Sequence, residues 1–307
     1  MPRHFLELSD FDSTTLSGLI AEARRLKALR GKVGPERSLL AGKVLAMVFE
    51  TQSTRTRISF DLAMRELGGE TLVLSGTEMQ LGREETIADT ARVLSRYVDG
   101  IMIRILSPAH LSELADNASV PVVNGLTRHS HPCQVMADLM TLEERAGPLR
   151  GLTVAWTGDA SNVLVSWIEA APLFGISLRI ATPEAYAPKH DVVDWARMHG
   201  ADIMLLDDPV AAVDGADCVI TDTWVSMGTE HERDKRLKTL APYQVTTDLM
   251  GRAKPSAIFM HCLPAHRGEE VVSEVIDGPQ SAVWDEAENR LHVQKAILAW
   301  CFAEARS

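Results

Sequence analysis

Five consecutive residues, Ser53-Thr54-Arg55-Thr56-Arg57, crowd hydroxyls and two guanidiniums into little more than one helical turn. Together they suit a doubly charged anion such as a phosphate, because hydroxyls donate and a guanidinium pairs with anionic oxygens in a planar fork. His131-Pro132-Cys133-Gln134 adds an imidazole and a carboxamide, the kind of groups that serve a carbonyl oxygen or an oxyanion. Asp222 and Ser226, four residues apart within Thr221 to Gly228, could grip an ammonium group. His261-Cys262-Leu263-Pro264 sets a thiol in a tight turn, where it can meet a substrate without being a covalent nucleophile. Arg104 supplies a further cation.

Each group also has a plainer reading. Ser53 is a natural N-cap, and the two arginines could be solvated surface charges. Cations in a first helical turn oppose the helix dipole, however, at a cost of about 0.3–1 kcal/mol each unless an anion joins them. His131 alone reads as a cap or a satisfied core histidine, and Cys262 alone as an ordinary buried thiol. Asp222 and Ser226 are common turn residues. Arg290, in Glu286-Ala287-Glu288-Asn289-Arg290, is either a surface helix charge or a ligand, and nothing local chooses between the two.

The elements around these residues favour the functional readings. Lys43 to Phe49 is almost unbroken apolar, as in a strand buried on both faces. Ile58, Phe60, Leu62, Met64 and Leu67 then recur at helical spacing until Gly68-Gly69 ends the helix. Ser53 falls where the strand hands over to the helix, beside unpaired first-turn amides. An amphipathic helix over 13–30 precedes this unit, and a short strand at 71–74 follows it. Beyond the polar segment Thr77 to Glu85, a helix over 84–97, a strand over 101–105, a helix from Pro108, a strand at 120–123 and a helix from Pro132 to Gly147 are expected. Pro148 to Gly151 marks a boundary, after which a second α/β pattern begins with the strand 152–156. Strands at 177–181, 203–206, 217–221 and 257–260 and a final helix from about 285 to 305 follow. The unusual residues, Asn162 included, lie in turns after strands, at the edge where open α/β sheets bind ligands. The fold class is therefore α/β, with two similar-sized domains, each a mostly parallel sheet flanked by helices.

Composition bounds the rest. The chain has 307 residues, with 46% hydrophobic and 24% charged, as in a soluble globular enzyme. A net charge of −11 argues against nucleic-acid or anionic-membrane surfaces, so an anionic substrate must be met by a local arginine cluster. There is no apolar run of transmembrane length and no signal-peptide pattern at Met1-Pro2-Arg3-His4-Phe5. Cys133, Cys218, Cys262 and Cys301 are far apart with no CxxC pair, which reads as reduced thiols in a cytoplasmic protein with no metal or disulfide framework. The turn Gly158-Asp159-Ala160-Ser161-Asn162 lacks GxGxxG, and no glycine-rich Lys-Ser/Thr loop occurs, which disfavours dinucleotide and nucleoside-triphosphate chemistry.

Taken together, Ser53-Thr54-Arg55-Thr56-Arg57 and His131-Pro132-Cys133-Gln134 resemble the aspartate/ornithine carbamoyltransferase family. Asp222 to Gly228, His261-Cys262-Leu263-Pro264, Asp285 to Arg290 and Gln80-Leu81-Gly82 resemble its ornithine-using members. The likeness runs over nearly the whole chain in the right order. It implies transfer of a carbamoyl group from carbamoyl phosphate to the δ-amine of L-ornithine, giving citrulline and phosphate in arginine biosynthesis. Residues 1–147, joined by a C-terminal helix from about 286 to 307, would bind carbamoyl phosphate, and 148–285 would bind ornithine. By this resemblance Ser53, Thr54, Arg55 and Thr56 hold the phosphate. Arg104, His131 and Gln134, with Pro132 and Cys133 in the same turn, hold phosphate and carbonyl oxygens, and Gln80 reaches in from a neighbouring subunit. Cys262, the Leu263 backbone and Arg290 surround the carbamoyl group, while Asn162, Asp222, Ser226 and Met227 take the amino-acid end of ornithine. The catalytic set would be Arg55, Arg104, His131 and Cys262, in a homotrimer that needs no metal or cofactor.

Two positions depart from the family pattern. A lysine often stands between strand and Ser53 where this chain has Glu50-Thr51-Gln52, and the second-domain turn is often Gly-Asp-Gly-Asn-Asn. Other acceptors remain in view. The proline-rich loop usual in aspartate enzymes is replaced here by His-Cys-Leu-Pro; putrescine, or a relative without catalysis, would be the alternatives. The chemistry fits the residues in its own right. Amine attack on a carbonyl builds an oxyanion while phosphate departs, and both sites of negative charge need fixed donors.

Overall fold

A computed structural model describes residues 2–32, 34–76, 85–225 and 230–303. The chain divides into two compact units, Met1–Met136 with Arg290–Ser307, and Ala137–Asn289.

In the first unit, α1 (Ser13–Ala28) precedes β1 (Val44–Phe49), α2 (Thr54–Glu66), β2 (Glu70–Ser75), α3 (Ile87–Leu94), β3 (Gly100–Arg104), α4 (Pro108–Asn117), β4 (Val122–Leu126) and the start of α5 (Pro132–Ala146). The four strands form one parallel sheet in the order β2-β1-β3-β4. The chain starts in the middle, steps to one side for β2 and returns past β1 for β3. The gap beside β1 and β3 is therefore a topological switch point, where the two loops leaving the strands diverge and leave a crevice for a ligand. As its apolar run requires, β1 is buried from Leu45 to Phe49. Ala46, Val48, Ile101 and Ile103 pack against Ala91 and Leu94 of α3 and Leu111 and Leu114 of α4.

In the second unit, β5 (Thr153–Thr157), α6 (Asn162–Phe174), β6 (Ser177–Ala181), α7 (His190–Met198), β7 (Asp202–Leu206), α8 (Pro209–Val213) and β8 (Cys218–Ile220) come first. Then follow α9 (Arg233–Leu240), α10 (Thr247–Met250), β9 (Ile258–Met260), α11 (Ser273–Ile276) and α12 (Val283–Phe302), whose residues from Arg290 onward belong to the first unit. These strands are again all parallel, in the order β7-β6-β5-β8-β9, and the switch point lies between β5 and β8. Ala155, Val219 and Phe259 form a core with Val245, Val271, Ile276 and Val283.

The two units repeat a device as well as a plan. Asp99 takes the N–H of Val44 at 2.9 Å and pairs with Lys43, fixing the start of β1. Asp217 takes the N–H of Thr153 at 3.0 Å and pairs with Lys254, fixing the start of β5. Each carboxylate satisfies an otherwise unpaired strand-end amide.

The expected elements differ from the observed ones mainly at their ends. α3 begins at Ile87, where the Thr86 side chain accepts the N–H of Asp89, rather than at Glu84. β4 is shifted to Val122–Leu126. Residues 58–67 carry two apolar faces: Phe60, Met64 and Leu67 are buried, while Ile58 and Leu62 are 53% and 38% exposed.

Candidate active site

At the first switch point, the turn after β1 and the end of β3 are tied to each other. The Glu50 carboxylate accepts the N–H of Leu106 at 2.6 Å, and Thr51 Oγ1 accepts Nε of Arg104 at 3.3 Å. The departures at Glu50 and Thr51 therefore have structural work of their own, holding Arg104 at the carboxyl edge of the sheet. Ser53 occupies the N-cap position of α2 in an extended conformation, but its side chain caps no amide. Thr54 and Arg55 are exposed in the first turn and Thr56 is buried. Neither Arg55 nor Arg57 has an acidic partner among the described residues.

Thr56 is bound from the far end of the chain. Buried Arg290 donates Nη2 to Thr56 Oγ1 at 2.8 Å and Nη1 to Gln134 Oε1. It therefore ties the α2 turn to the α5 turn. His131, the residue before α5, is 4% exposed. Burial first, then the Arg290 and Arg104 guanidiniums, hold its pKa well below the usual histidine range. It is a neutral imidazole that can donate one hydrogen bond to an oxygen. The Cys133 thiol is buried against the Asn124 carbonyl at 3.4 Å, and burial pushes it up to about 12. What Cys133 can offer a ligand is therefore main chain. Pro132 opens the helix without an N–H.

In the second unit, the turns after β5, β8 and β9 carry the expected residues. Thr221 Oγ1 donates to the Thr157 carbonyl at 2.7 Å, joining the first two turns. Gly158 has φ +106°, and a Cβ there would lie 2.7 Å from Nε1 of Trp224, so glycine is required on both counts. Asn162 is half-buried as the first residue of α6, whose N-cap Ser161 accepts the N–H of Val163. Asp222 is buried; its Oδ1 accepts the N–H of Thr223 at 2.7 Å and the Cys262 thiol at 3.1 Å. The Cys262 thiol is raised well above its ordinary range by burial, then by Asp222 and Glu286. It is a protonated donor at neutral pH, unsuited to be a nucleophile.

The turn that presents Cys262 is held by its neighbours. The His261 N–H donates to Glu286 Oε2 at 2.8 Å, and His261 Nδ1 accepts the Leu263 N–H at 2.9 Å. Leu263 has φ +60°, a left-handed conformation that costs a residue other than glycine about 1–3 kcal/mol. His261 Nε2 lies 3.3 Å from the buried Glu270 carboxylate. Asp222, His261 and Cys262, like His266, Glu269 and Glu270, bring ligand-type atoms within 4.8 Å of one another. In the first group, Asp222 Oδ1, His261 Nδ1 and the thiol already serve the hydrogen bonds just described.

Ser53 to Thr56, Arg104, His131 to Gln134 and Arg290 thus meet at the edge of the first sheet, and Asn162, Asp222, Cys262 and Leu263 at the edge of the second. Gln80, Ser226 and Met227 lie outside the described residues. The holding contacts of Thr51 and Glu286 were not predicted from the sequence, because each residue acts through a partner distant in the chain.

Models of the family's two domains both match. The carbamoyl-P binding domain of aspartate/ornithine carbamoyltransferases covers residues 3–144, and the Asp/Orn binding domain covers 150–301. The chain belongs to the aspartate/ornithine carbamoyltransferase family. Within that family, it is 62% identical over 301 residues to the ornithine carbamoyltransferase of Bradyrhizobium diazoefficiens, covering 98% of this chain and 97% of that one. It is 61% identical over 305 residues to that of Rhodopseudomonas palustris, with the same coverage. The ornithine carbamoyltransferase structure from Pyrococcus furiosus superposes with a TM-score of 0.93 at 49% identity, covering 97% of this chain and 96% of that one. The two-domain parallel α/β plan of the chain is thus the family's own.

Proposed function

We propose that this enzyme transfers the carbamoyl group of carbamoyl phosphate to the δ-amine of L-ornithine, releasing citrulline and phosphate. The supporting observation is the convergence of Arg104, Arg290 and neutral His131 beside a helix start whose own Arg55 has no acidic partner among the described residues. Such an arrangement is built for an anion and a polarised carbonyl, and relatives near 60% identity carry the ornithine carbamoyltransferase name.

Residues 1–147 with the chain end from about 286 hold carbamoyl phosphate, and 148–285 hold ornithine. Ser53, Thr54, Arg55, Thr56 and Arg104 take the phosphate, with Gln80 contributed by a neighbouring subunit. His131 serves the carbonyl oxygen, with Gln134, Pro132 and Cys133 in the same turn, and Arg290, Cys262 and the Leu263 backbone frame the carbamoyl group. Asp222 and Ser226 take the α-ammonium of ornithine, and Asn162 with Met227 takes its α-carboxylate.

The neutral δ-amine attacks the carbonyl carbon, and the new C–N bond forms as negative charge gathers on the carbonyl oxygen. The carbon–oxygen bond to phosphate then breaks, the proton of the attacking nitrogen passes to the departing phosphate, and the resulting hydrogen phosphate leaves against Arg55 and Arg104. Fixed donors at both charged positions lower the barrier because they need no reorganisation. No covalent intermediate is needed, which suits a protonated Cys262.

The same reading makes the enzyme a cytoplasmic homotrimer of arginine biosynthesis. Self-association is supported by the exposed apolar residues Ile58 and Leu62 on α2 and Leu72, 45% exposed, on edge strand β2. The test is citrulline formation from carbamoyl phosphate and a panel of amines.

A further inference from the structure

Arg236 of α9 is 6% exposed, and its guanidinium is spent on two turns. Nη2 donates to the Asp159 carboxylate and Nε to the Trp224 carbonyl. Its flat face lies 4.5 Å over the Tyr186 ring, and Nη1 is 3.6 Å from Glu232. Asp159 stands three residues before Asn162, in the turn after β5. Trp224 stands two residues after Asp222, in the turn after β8. The Tyr186 carbonyl accepts the Ala160 N–H at 3.1 Å, so the stacking ring belongs to the same assembly.

We propose that Arg236 and Asp159 are a positioning pair for the acceptor amino acid: together they fix the spacing between Asn162 and Asp222. This rests on the reading in which those two residues hold ornithine. A buried ion pair adds little net stability over well-packed apolar side chains, because both charges lose their hydration. What a guanidinium supplies that an apolar side chain cannot is a planar fork, reaching a carboxylate and a carbonyl in set directions. Those two acceptors sit on the two turns that flank the second switch point. Neither Arg236 nor Asp159 touches the substrate in this reading, so their loss should be felt as misplacement of Asn162 and Asp222.

The test compares Arg236→Gln, Arg236→Lys, Asp159→Asn and the double variant Arg236→Gln/Asp159→Asn with wild type and with Asn162→Ala. Steady-state kinetics give KM for ornithine and kcat, calorimetry gives the affinity for carbamoyl phosphate, and thermal unfolding reports the fold. Arg236→Gln and Asp159→Asn should each raise the ornithine KM about tenfold or more while carbamoyl phosphate affinity stays within about twofold. Arg236→Lys keeps the charge but not the fork, and should fall between wild type and Arg236→Gln. The double variant should be no worse than the poorer single one, because the two residues act as one unit. If Arg236→Gln yields no folded protein, the near-isosteric Asp159→Asn carries the same expectation.

A lowered melting temperature with ornithine KM unchanged would overturn the positioning role and leave a structural one. So would equal losses for ornithine and carbamoyl phosphate. If Asn162→Ala itself left the ornithine KM unchanged, the ornithine reading would fail first; if it raised KM while the Arg236 and Asp159 variants did not, the positioning pair alone would fail.

Discussion

Arg55 and Cys262 carry the sharpest expectations at the scale of single residues. Arg55 is exposed in the first turn of α2, and two charge-assisted hydrogen bonds to a phosphate are worth about 3 kcal/mol or more. Arg55→Ala should therefore weaken carbamoyl phosphate binding by roughly a hundredfold or more in calorimetry, with the melting temperature unchanged. Arg55→Lys should fail nearly as badly, since an ammonium cannot form the planar fork. Wild-type affinity in the lysine variant would show that Arg55 does something else. For Cys262, the raised pKa makes slow alkylation by iodoacetamide at pH 7–8 the expected outcome. Cys262→Ser should fold, keep its carbamoyl phosphate affinity and lose amine transfer. A carbamoyl-cysteine adduct in the mass spectrum of wild type would replace direct attack with covalent catalysis. The cluster Ser53 to Arg57 suggested an anion site from residue types alone, because arginines oppose a helix dipole unless something anionic joins them. Arg290 was legible only through the family resemblance, because its buried bonds to Gln134 and Thr56, 156 and 234 positions away, leave no local trace. Asp222 also accepts the Cys262 thiol, so in the proposed reading Asp222→Asn should lower kcat as well as raise the ornithine KM.

The turn between β5 and α6 gives a pH-dependent test at the scale of elements. Asp159 is pushed up to about 6 by burial, with Asp222 and Glu232 adding to the effect and Arg236 opposing it. An unfolded aspartate titrates near about 4, so between these values the folded protein binds more protons than the unfolded chain. Stability contributed by this group is fully present below pH about 4 and falls as pH rises to about 6, by up to about 3 kcal/mol. Relative to wild type, Asp159→Asn should gain stability across that window and run parallel to it above. Denaturant midpoints at half-unit pH steps measure this, and a level difference across the window would contradict burial as the cause. Strand and helix identities were legible from apolar runs and spacing, whereas ends such as the start of α3 turned on single caps like Thr86. Which turns flank the switch points could not be read from a single sequence, because strand order is set by pairing between distant segments.

The assembly and the reaction belong to the scale of the whole molecule. Ile58, Leu62 and Leu72 expose apolar surface on α2 and an edge strand, which a second copy of the chain would cover. Light scattering should give about three times the 33.7 kDa chain mass, and Ile58→Glu should lower that mass and the activity together. A wild-type monomer with full activity would remove the shared-site reading. Helical spacing marked Ile58 and Leu62 as apolar helix positions without saying that they would be exposed, because spacing alone does not tell which of two apolar faces meets the core. Most directly decisive is kcat/KM for citrulline formation from carbamoyl phosphate and L-ornithine, set beside putrescine, lysine and aspartate at a pH where enough amine is neutral. Ornithine should be preferred over putrescine by about two orders of magnitude or more if Asp222 and Asn162 take the α-amino and α-carboxylate as proposed, since putrescine has no α-carboxylate. Preference for putrescine, or no product from any amine, would contradict the assignment.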